Sequence, residues 1–475
     1  MRTVLLAGTA LLAIALAAPA QSQDLFAFDP LPPPVLRASR RLVFAHYLPP
    51  FPISIDNKPA AEDYYTTQYL SPDGEHGKYR ASGGFLRERP LPRSPRPEAN
   101  WSDLDLEAEV RRAIAIGLDG FACDILSSSG TQWDRVRALL RAARRVDRHF
   151  RIMLMPDMTA EFSSKPRRLR TAILRLAHHP SVLRMPNGRV VVAPFAAERQ
   201  SPRWWRTWLG QMRARGMDVA FVPVFLGWRD RLAAFAPIST GVGDWGVRTP
   251  FGSARLDAAA AIVHDAGALW MAPVGPQDMR PKDLRYWEAG NSEALRRSWQ
   301  SAIETGADWV QVVTWNDYSE STEISPSSGT QHAFYDLTSY YVAWFKTGQA
   351  PPIVRDVLCW FHRVQATAAM PEPAEQSHPF ELRTEEPPRD EVELLAFLTA
   401  PGTLEIALGG ETHQADAPAG VTSLRVALQP GAPTFSLRRD GVEVLSRTSP
   451  WTIGDPVLRQ DLLYRGGCSN RALVE

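Results

Sequence analysis

Two acids, Asp317 and Glu320, stand at i and i+3 directly behind a β-branched run, Trp309-Val310-Gln311-Val312-Val313-Thr314-Trp315. A carboxyl pair suits reactions that need one protonated and one ionised acid. Glycoside hydrolysis is such a reaction: one group protonates the leaving oxygen while the other activates water or attacks the anomeric carbon. In a helical turn the two Cβ atoms would lie about 5–6 Å apart, and extended backbone would allow roughly 10 Å. Retaining and inverting geometries need about 5–5.5 and 6.5–9.5 Å, so the spacing leaves both open. A plainer alternative lets Asp317 cap the following turn and Glu320 face solvent.

Further polar and aromatic residues end other apolar runs: His46 with Tyr47, Asp124, Asp157, Glu198, Asp244 with Trp245, Gln277 with Asp278, and Trp315, Asn316 and Tyr318 around the acid pair. Aromatic faces stack on the apolar faces of sugar rings, and Asn and Asp hydrogen-bond hydroxyls. His46, Tyr47, Asp124, Asp157, Asp244, Trp245, Trp315, Asn316 and Tyr318 are therefore the candidate sugar-binding residues. Each also has an ordinary reading: rim acids paired to arginine, a histidine bonded to a loop, a tryptophan in the core. Trp204, Trp205 and Trp208 recur at helical spacing and are expected to pack the core. The chain carries no Walker A, strand-linked GxGxxG, HExxH or GxSxG motif, and its 10 His are scattered.

The elements that would position these residues alternate in type. Short apolar runs at 42–47, 120–125, 152–155, 190–195, 219–225, 240–245, 268–274 and 309–315 are eight strand candidates. Amphipathic stretches separate them, which implies a parallel sheet. Leu106, Val110, Ala113, Ile114 and Gly117 share a helical face behind a Ser102–Asp105 capping signal. Leu337, Tyr340, Tyr341, Trp344 and Phe345 share another, stopped at Gly348. Eight such units suit a (β/α)8 TIM barrel, whose function sits at the C-terminal strand ends. The sixth strand is the least distinct, because Gly241 and Gly243 dilute its pattern. From about Met370 the chain turns to short alternating segments with Gly and Pro turns, expected to form a C-terminal antiparallel β-sandwich. The expected division is a signal peptide at 1–20, a Pro-rich lead-in at 21–40, the barrel at 41–368, a linker at 369–380 and the sandwich at 381–475.

Length and composition suit two or three domains. The chain has 475 residues, 44% hydrophobic and 22% charged, with 15 Trp and 40 Pro, and a net charge of +1 that argues against a nucleic-acid partner. Arg2, an apolar run of about fifteen residues and Ala18-Pro19-Ala20 read as an export signal too short to span a bilayer. An exported protein, periplasmic or extracellular and with no membrane contact after cleavage, is expected. Cys123, Cys359 and Cys468 have no zinc or CxxC spacing. Three buried thiols are the expected state, with a Cys359–Cys468 bridge as the alternative.

Trp315 to Ser321, WNDYSES, resembles the WNDYGES signature of glycoside hydrolase family 71, the α-1,3-glucanases or mutanases. VFAHY near residue 45, GLDGFACDI from Gly117, WMAPVGP from Trp270, SEALRRSW ending at Trp299 and YYVAWFKTGQAPPIVRDVLCWFHR from Tyr340 are similar in the same order, as is the tail APAGVTSLRVALQPGAPTFSLRRDGV. The resemblance implies a barrel with a β domain that hydrolyses α-1,3-glucan by inversion, without metal or cofactor. It places the catalytic acids on Asp317 and Glu320; Glu320 as general acid and Asp317 as base is the assignment expected here, with the reverse left open. It also puts His46, Asp124, Asp157, Asp244 and Trp245 in the sugar cleft. Three departures stand out: Ser319 for the motif glycine, Thr322-Glu323 for a usual His-Tyr, and Asp124 where Asn is frequent. A different α-glycan such as α-mannan, or a silent glycan-binding protein, remains a competing expectation.

Overall fold

The computed structural model describes residues 25–454 and 456–474. The expected signal peptide and the first residues of the lead-in lie outside the described residues. All eight strand candidates form. They are β1 Leu42–Tyr47, β2 Gly120–Ile125, β3 Arg151–Pro156, β4 Val190–Val192, β5 in two pieces (Val219–Phe221 and Val224–Phe225), β6 Gly241–Asp244, β7 Leu269–Val274 and β8 Trp309–Val312. Every pairing is parallel, and β1 joins β8 on one side and β2 on the other. Pro223, which has no N–H to donate, divides β5. The ring nonetheless closes there: Val222 N–H donates to Val192 on one side, and Thr240 N–H to Phe221 on the other.

Strand alternation sorts the side chains into two cores. Phe44, Ala122, Met153, Val191, Met271 and Val313 fill the barrel interior. Val43, Ala45, Tyr47, Phe121, Cys123 and Ile152 face the outer helices. The glycines that dilute β6 answer to this packing. A Cβ on Gly241 would come within 3.1 Å of the Leu269 carbonyl oxygen, and one on Gly243 within 2.9 Å of Met271 Cε. The helix after β1 runs Trp101–Ala115 with Asn100 at its N-cap, so Ser102 and Asp105 form no capping box. Asp105 is instead taken up by Arg93 and Arg96, which tie the preceding loop to the helix. The helix after β8 spans Ala333–Thr347 and ends at a left-handed Gly348 (φ 79).

Two four-stranded antiparallel sheets follow the barrel. One holds Gly420–Ala427, Glu391–Leu398, Val357–His362 and Arg465–Cys468; the other holds Glu411–Ala417, Gly402–Leu408, Thr434–Arg439 and Val442–Thr448. Leu358, Trp360, Leu394, Leu404, Ile406, Phe435 and Leu437 pack between them. Val357–His362 precedes residue 368 in sequence yet sits in this sandwich. There Cys359 faces Cys468 across an antiparallel pair and the two are disulfide-bonded, leaving Cys123 free and buried. This corrects the expectation of three thiols; a separation of 109 residues gave no local sign that the last strand returns beside Cys359.

Candidate active site

A cleft of about 650 Å³ opens at the C-terminal ends of the strands, lined by His46, Asp124, Asp157, Trp245, Asp317 and Glu320. A second wall comes from the long segment between β1 and the first helix, through Phe51, Tyr69, Glu75, Lys78, Tyr79 and Phe85. Arg280, Lys282, Phe195 and Ser319 complete it.

The loop after β8 is held by its own backbone. Thr314 N–H donates to Thr322 O, Ile324 N–H to Thr314 O and Trp315 N–H to His46 O. The Thr314 hydroxyl accepts from Asp317 N–H at 2.8 Å, and the Glu320 carbonyl accepts from Met279 N–H at 2.8 Å. Within this frame the two acids meet different surroundings. Asp317 Oδ1 accepts two hydrogen bonds from Ser319, 3.0 Å from its N–H and 2.7 Å from its hydroxyl. Burial raises the Asp317 pKa, while the Ser319 bonds and the Lys282 and Arg280 charges oppose the rise. Glu320 Oε1 lies 2.8 Å from Arg280 Nη1, and its Oε2 is buried without a partner. Burial, with the Asp317 charge added, pushes Glu320 up to about 8. The Arg280 charge opposes this rise, but Arg280 is also held by Asp278 through two bonds at 2.7 and 2.8 Å, and Asp278 binds Arg248 as well.

The left-handed residue of this loop is Ser321 (φ 51), and Ser319 is not among the positive-φ residues. A side chain at 319 therefore costs no backbone strain. Glu323, the other departure, lies buried beneath the loop in contact with buried Glu88, which accepts from the Ser327 hydroxyl at 2.6 Å.

The remaining candidates divide. His46 meets Trp245 edge-to-face at 4.8 Å and its Nδ1 lies 3.1 Å from Met155 Sδ. Burial lowers it to about 3, so it is neutral at ordinary pH. Trp245 also packs on Phe195 at 4.5 Å. Asp124 is buried with Oδ1 unpartnered, and burial, then the Asp157 and Asp317 charges, raises its pKa well above the ordinary range. Asp157 accepts from Thr159 N–H and hydroxyl at 2.6 and 2.7 Å.

Five expected sugar ligands do not line the cleft. Alternation turns Tyr47 outward, where its hydroxyl donates to Glu109 at 2.6 Å. Trp315 packs in the outer core on Phe121 at 5.1 Å. Asn316 pins the β1 loop, accepting from Leu48 N–H and donating to the Leu48 and Phe51 carbonyls. Tyr318 sits behind the cleft against Phe51. Asp244 faces an adjacent hollow with Gly227 and Gly246, whose N–H groups it accepts. Conversely, Arg280, Lys282, Tyr69, Tyr79 and Phe85 were not anticipated. The clustered tyrosines between 64 and 79 were the one visible signal.

A closed (β/α)8 barrel with two buried acids at its mouth is an arrangement that suits glycoside hydrolysis. Glycosyl hydrolase family 71 matches residues 96–457, and the chain belongs to that family. It is similar to a glucan endo-1,3-alpha-glucosidase of Schizosaccharomyces pombe, 24% identical over 75% of this chain and 87% of the relative. A mutanase of Penicillium rubens is 23% identical over 72% of this chain and 80% of the relative. Among solved structures, the GH99 endo-alpha-mannosidase from Bacteroides thetaiotaomicron superposes with a TM-score of 0.50 at 14% identity, covering 64% of this chain and 97% of that one. That likeness concerns the fold alone.

Proposed function

We propose that this chain is an exported hydrolase of α-1,3-glucosidic bonds that works by inversion, with Glu320 as general acid and Asp317 as the base that positions water. The observation that carries the reading is the contrast between the two carboxyls. Glu320, with one oxygen unpartnered and its pKa at about 8, holds a proton at neutral pH. Asp317 receives two donors on one oxygen, which favour its ionised form. Burial raises both carboxyls, but at Asp317 the Ser319 bonds and the Lys282 and Arg280 charges oppose the rise, whereas at Glu320 the Asp317 charge adds to it, a division of roles that suits an acid–base pair. Glu320 donates its proton to the glycosidic oxygen as the C–O bond breaks, and Asp317 takes a proton from the water that attacks the opposite face.

His46, Asp157 and Trp245 line the same cleft and suit contact with the sugar's hydroxyls and apolar face. Asp124, protonated, can both donate and accept, as an amide would. The α-1,3 linkage follows the names of the similar glucanases, and export follows the leader-like first 20 residues. Release of reducing sugar from insoluble α-1,3-glucan, assayed beside α-1,4-glucan, α-1,6-glucan and α-mannan, tests the substrate. Preferential release from another glycan would refute the linkage, and hydrolysis of none would refute the enzyme. D317N and E320Q are expected to lose at least about 10²-fold in turnover while still binding glucan.

A further inference from the structure

A second hollow, also about 650 Å³, lies on the outside of the barrel between the helices Pro166–Ala177 and Pro202–Arg213. Arg167, Arg170, Arg203 and Arg215 line it, no acidic side chain does, and among the described residues none of the four has a carboxylate partner. Gln211 fixes two of them, its side chain accepting from Arg170 and its carbonyl from Arg215 at 3.1 Å. Both helices begin at this hollow with no acidic residue in the first turn and with arginine there instead. The positive end of a helix favours anions, so this arrangement stacks like charge on like charge. Burial first, and then the neighbouring Arg215 and Arg167 charges, lower the Arg170 pKa.

At the same hollow Trp208, 2% exposed, carries an indole N–H with no acceptor in the protein. Beside it Trp204 is half-buried, its edge set against Trp205 at 4.8 Å. Trp204 and Trp208 give one wall of the hollow an apolar aromatic surface beside the arginines. The residues thus call for an anion with a flat apolar face. A sugar ring bearing an acidic group offers both. A flat bilayer surface would meet the arginines without filling the hollow between the two helices.

We infer that this groove is a binding site, separate from the catalytic cleft, for a strand of acidic polysaccharide: the arginines take its acidic groups and Trp204 stacks on a ring. Neutral α-glucan carries no such charge, so the site does not duplicate the cleft. It holds the enzyme on an acidic glycan while the cleft works on a neutral one.

The test is native gel electrophoresis of the full chain through gels containing polygalacturonate, neutral dextran or neither, alongside R170Q/R215Q, the four-arginine Gln variant and W204A. The wild type is expected to be retarded by polygalacturonate alone, with retardation weakening as salt rises. Losing four exposed charge contacts should weaken binding at least about tenfold, and the two-arginine variant and W204A should fall between. Glucan hydrolysis is expected to stay at wild-type values in all variants, and melting temperature should fall only in W204A, which loses its packing on Trp205. Equal retardation of wild type and variants, or retardation by neutral dextran, would overturn the site. Stronger capture by phosphatidylglycerol vesicles or single-stranded DNA than by polygalacturonate would overturn its assignment to a glycan.

Discussion

Removing the Ser319 hydroxyl should move the acid side of the pH profile. That hydroxyl lies 2.7 Å from Asp317 Oδ1 and the Ser319 N–H 3.0 Å from the same oxygen, so S319A deletes one donor and leaves the other. A hydrogen bond to a charged group contributes about 1.5–3 kcal/mol; at 1.36 kcal/mol per pH unit, about one to two pH units of stabilisation of the Asp317 carboxylate are at stake. If Asp317 must be ionised to act as base, the acid limb of kcat/KM for S319A and S319G should shift upward by about one pH unit or slightly more. The plateau near neutrality should change little. Because residue 319 is outside the positive-φ region, neither variant relieves or creates strain, and S319T should retain the wild-type limb if its methyl fits. Initial rates on α-1,3-glucan from pH 3 to 9 measure this. An unmoved limb with uniformly lower rates would refute the reasoning, for it would mean that Ser319 supports the loop without tuning the base.

The alkaline limb should report Glu320: with a pKa near 8 it must stay protonated to act, so kcat/KM should fall as pH rises through about 8. The same raised pKa means that the folded chain keeps a proton the unfolded chain releases above about 4.5. Stability from this group therefore declines between those values and levels off above about 8, and E320Q should flatten that decline in pH-dependent melting curves. The buried Glu88–Glu323 pair has raised pKa values on both members, with Ser327, Arg465 and Asp461 facing it. E323Q should match the wild-type melting temperature near pH 4 and exceed it at pH 8, and a lower value at pH 8 would show that the pair is charged and net stabilising. Truncation at residue 375 should yield an unfolded or insoluble barrel. It leaves Val357–His362 without either sheet neighbour and removes Tyr464, whose N–H donates to Gln277 and whose hydroxyl donates to Glu288. Breaking the Cys359–Cys468 bridge alone should cost about 2–5 kcal/mol by denaturant titration, with the active site unaffected.

Where periodicity was local, the fold could be read from the sequence. The eight strands, the helix ending at Gly348 and the alternating strands from Glu391 onward all carry short-range signals. The Cys359–Cys468 contact and the place of Val357–His362 in the sandwich depend on a strand returning from the far end of the chain, and no local pattern encodes that. In the site, strand ends marked the right places but not the right faces. His46 and Tyr47 are neighbours, and a period of two sends one into the cleft and the other to Glu109. The same rule separates Trp245 from Asp244. Asn316 reads as a sugar ligand because it is polar and beside the acids, yet its hydrogen bonds go to the backbone of the β1 loop. Arg280 escaped notice because it lies beyond β7 in an antiparallel pair with Arg285–Trp287, an excursion outside the barrel pattern.

The configuration of the first product tests the central claim most directly. Proton NMR of the anomeric region, recorded within the first minutes of α-1,3-glucan hydrolysis by the wild-type enzyme, should show the β-anomer of the new reducing end first, with the α-anomer growing in only by mutarotation. Initial release of the α-anomer would mean retention, and Asp317 could not then be the base that directs water to the opposite face.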